Sequence, residues 1–524
     1  MKLSNLKQQL LERNSQLPEN QRWTSSLREE FKMNLENKTN FEPKYNSGLL
    51  NSNIDESILQ STTLDASTYN QSNELSGLSK SKQEPIPVES KPLSKFIEKE
   101  SINKIDAIKI IGITGSSGKS TTAFIVHEYL KSLGKKSVLY SSIRIDSPAS
   151  YINVNEPCEI PVQNENILLD VIEEAEAYDA DYIVMEVNES TIQKGLTEGI
   201  PFAVRALTNL NPKHNEEQYS PEEYVRIKES FFENIPNDED CTCVIGLTGP
   251  FTRDDFNKFI KLNNHPKITF GSKYICEVRN ADYTNLDCLL YGMNSDLNGL
   301  NMKIRVKENS YDFNTKVIFS YNALNFTCAI AIIEALNLFD ANLFSKCISD
   351  MAIPGREEII KVNNRTIVIG LHLVPVLEHL KQYQKNREIN KIKVVVGSIG
   401  TGFVSWGKEF SSNLYMSQRG KIRSFAMGYL QKYADFAYLT SNDNAAENPL
   451  NIAQELQGYL SNKIPSTIVV DRSEAIKKAI LESEPNDLIY ISGRGNRRVF
   501  CDTANTMKLI NDKEIVQDVL KVLG

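Results

Sequence analysis

The stretch that decides the fold begins at Lys109 and reads KIIGITGSSGKSTT through Thr122. A short β-branched run leads into a turn of Gly and Ser, and the turn leads into a periodic helix that ends at Gly134. Glycines let the backbone turn tightly, so that successive N–H groups point at phosphate oxygens beside the positive end of a helix dipole. The order of strand, turn and helix therefore predicts a phosphate-binding loop.

The residue types of this loop match the needs of a nucleotide bound with magnesium. Lys119 is placed to reach the terminal phosphates, and the hydroxyl of Ser120 is placed to ligate Mg²⁺. The turn is shorter than a strict Walker A motif, because Ile113 stands where that motif has a glycine. The alternative is an ordinary strand-to-helix turn that happens to contain Gly and Lys. The predicted nucleotide-binding residues are Thr114, Gly115, Ser116, Ser117, Gly118, Lys119, Ser120 and Thr121.

The chain has 524 residues, of which 40% are hydrophobic and 24% are charged. This composition is typical of a soluble globular protein. A chain of that length holds about three domains of ordinary size. The net charge of −8 argues against a general nucleic-acid binder, which needs a surplus of Lys and Arg. The sequence shows no apolar run of membrane-spanning length and no apolar signal-peptide core at its start. We therefore expect a cytoplasmic protein without a membrane or nucleic-acid partner.

Residues 1–105 differ in texture from the rest of the chain. Two short helical patterns come first, one running from Leu3 to Leu10 and the other from Trp23 to Leu35. They are followed by a run rich in Ser, Asn, Gln and Lys, which buries too little apolar surface to offset the entropy of ordering. We predict a largely disordered, low-complexity extension with short helices that dock on another surface, such as a protein partner.

From residue 106 onward, predicted strands and helices alternate. Repeated β-α-β units indicate a parallel sheet with helices on both faces, which is an α/β fold. We predict a P-loop central domain over 106–350 that binds ATP, and a C-terminal Rossmann-like α/β domain over 351–524. The boundary lies just before the run Pro354-Gly355-Arg356.

Polar residues follow the strand ends downstream of the phosphate loop. Glu186 ends a buried strand, and ligands of open α/β sheets bind at the carboxyl ends of strands, so Glu186 can face the magnesium of a nucleotide on Lys119. His214 comes four residues after the next strand end, and Lys228 follows on a predicted helix. Each has a simpler interpretation, namely a solvated strand end, a structural histidine and a surface lysine.

Taken in order, these motifs resemble the central domain of the Mur ligases. The likeness covers roughly residues 106–524 and is greatest to the branch that adds the third residue of the peptidoglycan stem, the UDP-N-acetylmuramoyl-dipeptide ligases. The motifs that carry it are the phosphate loop, Met185-Glu186-Val187, Thr208-Asn209-Leu210-x-x-x-His214, Tyr224-x-x-x-Lys228 with Phe231-Phe232, Asn322 with Asn325, Pro354-Gly355-Arg356-x-Glu358, Asp471-Arg472-Ser473-x-Ala475-Ile476 and Gly493-Arg494-Gly495.

The resemblance implies a ligase that uses ATP and Mg²⁺ to activate a carboxylate as an acyl phosphate, which an amine or amino acid then attacks. Lys119 and Ser120 would neutralise charge on the transferring phosphoryl group. Glu186 and His214 would be protein ligands of the metals. Lys228 resembles the lysine that becomes a carbamate and holds a second Mg²⁺. The implied catalytic residues are Lys119, His214 and Lys228.

The resemblance also assigns residues to the far end of the nucleotide and to the third domain. Asn322 and Asn325 would lie against the adenine. Arg356, in the segment before the third domain, would touch the phosphates when that domain closes. Two positions depart from the family pattern: Lys213 replaces an aspartate, and the run Ile369–His372 lacks the aspartate that grips the ribose.

The acceptor-side motifs depart further. Residues 442–445 read Asn-Asp-Asn-Ala in place of the family's Asp-Asn-Pro-Arg, so the arginine that pairs with a distal carboxylate is missing. Residues 493–497 read Gly-Arg-Gly-Asn-Arg in place of Gly-Lys-Gly-His-Glu, so an acidic residue has become basic. We expect a pocket that suits an acidic group better than diaminopimelate or lysine. Its predicted lining is Asn442, Asp443, Arg494 and Arg497.

The N-terminal extension does not resemble the folded domain that holds the UDP end of the family's substrate. The likeness therefore does not extend to a UDP-linked donor, and the donor and acceptor stay open. One alternative function is a catalytically reduced scaffold that binds nucleotide without ligation. Another is a plain nucleotide hydrolase.

Overall fold

A computed structural model of the protein describes residues 2–16 and 104–523, apart from short gaps. The gaps are 144, 147–164, 213–218, 234, 237–239, 250–252, 401–403, 406–407, 410–412, 445–446, 498 and 504–505. Lys213 and His214, both singled out above, lie outside the described residues, as does the second helical pattern from Trp23 to Leu35. Among the described helices, none is both long and apolar enough to cross a membrane.

The first helix, α1 (Leu3–Gln16), packs against the middle domain, which is the central domain predicted above. Its apolar side chains recur at helical spacing, and the buried ones are Leu3, Leu6 and Leu10. They join a hydrophobic core that the middle domain builds from Ile105, Ile108 and its own sheet. The backbone N–H of Ser4 donates to Asp106 Oδ1 at 3.0 Å. The predicted helix therefore exists, and the surface on which it docks belongs to the same chain.

The middle domain is built on a ten-stranded sheet. Its strands are β1 (Lys109–Thr114), β2 (Ser137–Tyr140), β3 (Ile145–Asp146), β4 (Tyr182–Glu186), β5 (Phe202–Leu207), β6 (Thr242–Leu247), β7 (Lys267–Ser272), β8 (Cys288–Asp296), β9 (Gly299–Val306) and β10 (Asn309–Thr315). The order across the sheet is β10-β9-β8-β7-β6-β5-β1-β4-β2-β3. The strands from β2 to β8 in this order pair in parallel, while β3, β9 and β10 are antiparallel additions at the two edges.

Helices cover both faces of this sheet, as predicted, and bury a separate hydrophobic core on each. They are α2 (Lys119–Ser132), α3 (Glu165–Ala177), α4 (Glu189–Gln193), α5 (Pro221–Glu233), α6 (Arg253–Lys261), α7 (Lys273–Val278), α8 (Asn322–Ala335) and α9 (Ala341–Ile348). Helix α8 is apolar around nearly its whole circumference because it packs between α2 and the sheet.

The third domain is the C-terminal α/β domain predicted above. It has its own six-stranded sheet, in the order β11-β12-β18-β13-β16-β17. Its strands, and those of two small hairpins, are β11 (Glu358–Val362), β12 (Arg365–Gly370), β13 (Ile392–Val396), β14 (Val404–Ser405), β15 (Lys408–Glu409), β16 (Phe436–Leu439), β17 (Ser466–Ile468), β18 (Leu488–Ser492), β19 (Val499–Thr503) and β20 (Thr506–Leu509). Its helices are α10 (Val374–Lys385), α11 (Asn413–Tyr433), α12 (Pro449–Leu460), α13 (Arg472–Leu481) and α14 (Asp512–Leu523). All pairings within the six-stranded sheet except β11-β12 are parallel, which confirms the predicted α/β class.

The two domains share a hydrophobic seam ahead of the segment that links them. Ile318 and Phe319 precede α8 in the middle domain, yet their side chains are buried in the core of the third domain. The hydroxyl of Tyr383 donates to the carbonyl oxygen of Ile318. Ser320 Oγ lies 2.8 Å from His379 Nε2. The seam holds the third domain beside the first turn of α8.

Candidate functional site

The phosphate loop is a tight turn wedged between two side chains. Gly115 and Gly118 have φ values of +144° and +79°, which residues with a Cβ rarely adopt. A Cβ at Gly115 would lie 2.1 Å from Thr208 Oγ1, and one at Gly118 would lie 2.2 Å from Asn325 Oδ1. Glycine is therefore required at both positions, by conformation and by space.

The end of the neighbouring strand β5 holds the loop in shape. Asn209 receives the N–H of Ser117 on its Oδ1 at 3.0 Å and returns a hydrogen bond from its Nδ2 to the Ser117 carbonyl at 2.9 Å. Thr208 Oγ1 donates to the same carbonyl at 2.6 Å. The hydroxyl of Tyr224, on α5, donates to Ser116 Oγ at 3.0 Å. The motif residues Thr208, Asn209 and Tyr224 therefore shape the loop.

Lys119 rests on the loop at the start of α2. Its Nζ donates to the carbonyl oxygen of Gly115 at 3.0 Å and lies 3.5 Å from that of Ser116. An ammonium group at the N-terminus of a helix, over a glycine turn, suits a polyphosphate. Thr121 is buried in the first turn of the same helix. The residues present therefore fit the nucleotide that the sequence predicts.

Glu186, Ser142 and Ser120 form a continuous hydrogen-bond network beside the loop. Glu186 Oε2 accepts from the N–H and from the hydroxyl of Ser142, each at 3.0 Å, and from Ser141 Oγ at 3.3 Å. Ser142 Oγ lies 2.8 Å from Ser120 Oγ. The two predicted metal ligands, Glu186 and Ser120, are thus bridged by a residue that sequence reasoning missed. Ser142 lies just beyond the end of β2, so the strand-end argument applied to Glu186 could have found it.

The surroundings keep the Glu186 carboxyl ionised. Burial by itself raises its pKa, but the Lys119 ammonium, the Ser142 N–H and the Arg356 guanidinium outweigh burial and hold the pKa below its usual value. A carboxylate and a hydroxyl are hard oxygen donors of the kind that Mg²⁺ prefers. Glu186 and Ser120 therefore fit a magnesium ion.

Lys228 is fully buried below the loop and is already paired. Its Nζ donates to Thr114 Oγ1 at 3.0 Å and to Glu189 Oε2 at 3.2 Å. Burial lowers the pKa of Lys228 to about 8. Burial raises the pKa of Glu189, but the ammonium groups of Lys228 and Lys119 outweigh it and bring that pKa to about 2. Sequence reasoning missed Glu189, whose carboxylate pairs with the amine that the family resemblance implies becomes a carbamate.

The residues assigned to the adenine and the hinge also meet at the loop. Asn325 Nδ2 donates to Asn322 Oδ1 at 2.9 Å, and Asn325 packs on Gly118. Asn322 Nδ2 is buried and has no hydrogen-bond partner among the described residues, which leaves a donor for a polar ligand. Arg356 Nη2 donates to Ser120 Oγ at 3.2 Å and to Ser142 Oγ at 3.1 Å. The hinge thus directly contacts Ser120, a predicted metal ligand.

The four acceptor-side residues lie together, and the three charged ones pair with one another. Arg494 Nη1 donates to Asp443 Oδ1 at 2.7 Å, and both side chains are fully buried. Arg497 Nη1 lies 3.8 Å from Asp443 Oδ2, with 30% of its side chain exposed. Asn442 packs on Gly493 at the rim of the same cluster. The position of Arg494 does not support the expected binding of an acidic acceptor, because its guanidinium forms a buried ion pair with Asp443.

Comparisons with known proteins point to one family. Residues 113–333 match the protein family described as the Mur ligase middle domain. The chain is 23% identical over 433 residues to the UDP-N-acetylmuramoyl-L-alanyl-D-glutamate--2,6-diaminopimelate ligase of Caldanaerobacter subterraneus subsp. tengcongensis, covering 80% of this chain and 79% of that relative. It is 26% identical over 405 residues to UDP-N-acetylmuramyl-tripeptide synthetase 2 of Oceanobacillus iheyensis, covering 74% and 73%.

A solved structure shares the fold. The structure of a UDP-N-acetylmuramoyl-L-alanyl-D-glutamate--2,6-diaminopimelate ligase superposes on this chain with a TM-score of 0.53 at 18% identity, over 79% of each chain. At that identity the likeness establishes the architecture. The two-sheet arrangement seen here is therefore one that solved ligase structures also adopt.

Proposed function

The chain belongs to the Mur ligase family, and from that premise we propose that it is an ATP- and Mg²⁺-dependent ligase that joins a carboxylate to an amine through an acyl phosphate. The observation that carries the proposal is the meeting of Lys119, Ser120, Glu186 and Arg356 around one turn of backbone. Three separate segments contribute these groups, which are two cations, a carboxylate and a hydroxyl of the kinds that phosphoryl transfer with Mg²⁺ uses. Because ATP is the proposed substrate, a cytoplasmic location belongs to the same proposal.

Each side chain has a distinct task in the proposed reaction. The ammonium of Lys119 swings from its loop carbonyls to the terminal phosphates and offsets charge that develops as the phosphoryl group leaves ATP. The guanidinium of Arg356 lies beside Ser120, where it can bind the same oxygens when the third domain is closed. Mg²⁺ held by Ser120 and Glu186 would supply further charge neutralisation to the phosphoryl group. The substrate carboxylate then attacks the γ-phosphorus and ADP leaves. The neutral amine adds to the acyl carbon, loses one proton and displaces phosphate to give the amide.

Lys228 makes structural contacts that the family resemblance does not mention. As an ammonium between Thr114 and Glu189, it fixes the strand end from which the phosphate loop departs. The sequence-based prediction that Lys228 becomes a carbamate stays a proposal, and it would require Glu189 to release the lysine. His214, the other proposed metal ligand, lies outside the described residues.

The substrates we propose belong to the chemical class named for the relatives. Those relatives are named for joining 2,6-diaminopimelate, or a third residue, to a UDP-N-acetylmuramoyl peptide. For this chain we propose a peptide-like carboxylate donor, such as a peptidoglycan precursor, and an amino-acid acceptor other than diaminopimelate. The support is the internal pairing of Arg494 and Asp443 and the exposed edge of Arg497 on the acceptor side.

A screen for stimulated ADP release tests the function. The full-length protein is incubated with ATP and Mg²⁺ while carboxylates and amino acids are varied in pairs. We expect release that needs both an acid and an amine, that is lost in Lys119→Ala, and that persists in Lys135→Ala, an exposed lysine just beyond the same helix. Full activity of Lys119→Ala would contradict the proposal.

The alternatives predict other results in the same screen. A nucleotide-binding scaffold would bind ATP without releasing ADP under any pair, and a hydrolase would release phosphate without acid or amine. The departures at Ile369–His372 and at the acceptor motifs favour the scaffold, whereas the loop lysine, the hydroxyl and the strand-end carboxylate are all in place and favour the ligase.

A further inference from the structure

The loop of residues 493–497 leaves β18 at its carboxyl end and turns sharply toward the middle domain. Gly493 and Gly495 have φ values of +104° and +59°, so both turns use the left-handed region. The N–H of Gly493 donates to the carbonyl oxygen of Gly370 at 3.0 Å. A Cβ at Gly495 would lie 2.6 Å from the carbonyl oxygen of Gly355. The loop and the interdomain segment are therefore packed backbone against backbone.

The third domain fixes this loop from within. The buried guanidinium of Arg494 is held by Asp443 on one side and lies 4.9 Å from the ring centre of Phe500 on the other. Asn511 Nδ2 donates to the carbonyl oxygen of Asn496 at 3.3 Å. A buried, charge-assisted hydrogen bond of this kind restricts a loop more than an exposed ion pair would. The loop thus moves with the third domain as one piece.

Asn496 carries the loop across to the middle domain. Its Nδ2 donates to the carbonyl oxygen of Ile143 at 2.7 Å. Ile143 directly follows Ser142, whose N–H and hydroxyl both bind Glu186 Oε2. Asn496 also lies against Gly355, where a Cβ would be 2.2 Å from the backbone nitrogen of Asn496. A single hydrogen bond therefore connects a rigid loop of the third domain to the segment that orients the proposed metal-binding carboxylate.

We propose that Asn496 is a positioning residue, which clamps the third domain onto the strand end of Ser142 and thereby sets the orientation of Glu186. The catalytic consequence rests on the proposed function, whereas the clamp itself is a contact between two domains. The seam at Ile318 and Phe319 does not depend on the clamp, because those side chains belong to the third domain's core. Loss of Asn496 should loosen the contact between the loop of residues 493–497 and the segment at Ile143 without separating the domains.

Hydrogen–deuterium exchange on the full-length protein with Mg²⁺ and a non-hydrolysable ATP analogue tests the clamp. In Asn496→Ala, amides in 137–143 should exchange about fivefold faster, since one hydrogen bond is worth about 1 kcal/mol. Asn496→Asp keeps the size of the side chain but not the donor, so it should show the same faster exchange. It tests the clamp in place of Asn496→Ala if the alanine variant folds poorly. Asn496→His restores a donor at similar reach and should restore protection. Asn451→Ala, an exposed position on α12, is the control that should change nothing.

Kinetics separates the clamp from the proposed function. Once a substrate pair is found, Asn496→Ala should lower kcat about ten- to a hundredfold, because misplaced groups slow the chemical step more than they weaken binding. The KM for ATP should stay within about twofold. Unchanged exchange at 137–143 in both Asn496→Ala and Asn496→Asp would overturn the clamp. A failed ligation screen beside the expected exchange would overturn the ligase proposal and leave the clamp standing.

Discussion

Ser142 places two donors, its N–H and its hydroxyl, 3.0 Å from the same oxygen of Glu186. Both donors thereby hold one carboxylate oxygen of a side chain that ends a buried strand. A ligand that is held by a neighbour in this way binds a metal with less loss of entropy.

Replacing Ser142 with alanine should therefore weaken magnesium binding while leaving the fold intact. The variant keeps the backbone donor to Glu186 but loses the hydroxyl that connects Glu186 to Ser120. We expect the Mg²⁺ concentration for half-maximal ADP release to rise about tenfold, as is common when a neighbour of a metal ligand is removed. Ser132→Ala, at the other end of α2, should match the wild type. An unchanged Mg²⁺ requirement in Ser142→Ala would show that Glu186 does not need this support.

The buried pair Glu189 and Lys228 should make stability depend on acid pH. Glu189 has a pKa of about 2 in the folded state against an ordinary 4.5, so its contribution is complete above 4.5 and is lost as the pH falls toward 2. The loss is on the order of 3 kcal/mol. Urea midpoints measured between pH 5 and pH 2 should therefore fall less steeply for Glu189→Gln than for the wild type, as follows from linkage.

The glutamine variant should already be less stable at neutral pH, because it leaves the Lys228 ammonium buried without an anion. Glu198→Gln, at an exposed position nearby, should follow the wild-type profile. Parallel pH profiles for Glu189→Gln and the wild type would mean that the two side chains do not pair in solution.

Helix α1 should depend on its buried leucines for docking. Leu6→Ala removes a buried side chain from the shared core and should weaken docking by about 2–5 kcal/mol. Amides of residues 3–16 would then exchange with deuterium much faster than in the wild type. Leu11→Ala is the matched control on the same helix, because 38% of Leu11 is already exposed. Equal exchange in the two variants would argue against the packing of α1 described here.

The pair Asp443 and Arg494 should behave as a structural unit. Asp443→Asn or Arg494→Met alone leaves one buried charge uncompensated and should lower the unfolding free energy of the third domain by about 3–5 kcal/mol. The double variant should recover most of that loss, since neither charge then remains. If Arg494 instead reads the acceptor, Arg494→Met would raise the acceptor KM and leave stability unchanged. Thermal melts of the three variants distinguish the two cases.

Local signals in the sequence predicted much of the fold. The run before Gly115 predicted β1, and the glycine spacing predicted the loop, because each depends on neighbours within a few residues. The leucine period predicted α1 for the same reason. Strand β8 carries a weak sequence signal, because only its first three residues, Cys288–Leu290, are buried and its second half lacks an apolar pattern. The short helices α4 and α7 are likewise too brief to show a period.

The site could be predicted only where family resemblance or a strand end marked a residue. Glu186 was found in that way, and its carboxyl lies near Ser120 and Lys119. The partner of Lys228 could not be found, because Glu189 lies 39 residues away on a helix whose position depends on the packed domain. The pairing of Arg494 with Asp443 spans 51 residues and two strand ends. Such pairings follow from topology, which a linear reading of residue types does not contain.

The place of Ile318 and Phe319 has a consequence for anyone who would cut the chain in two. Expressed alone from residue 351, the C-terminal part would lack two of its own interior side chains and would carry a hole where they belong. The middle part, ended at residue 350, would in turn present the Phe319 ring and the Ile318 side chain to water next to α8. The boundary of the chain segments and the boundary of the hydrophobic cores do not coincide, so the two parts are expected to be stable only when they are expressed together.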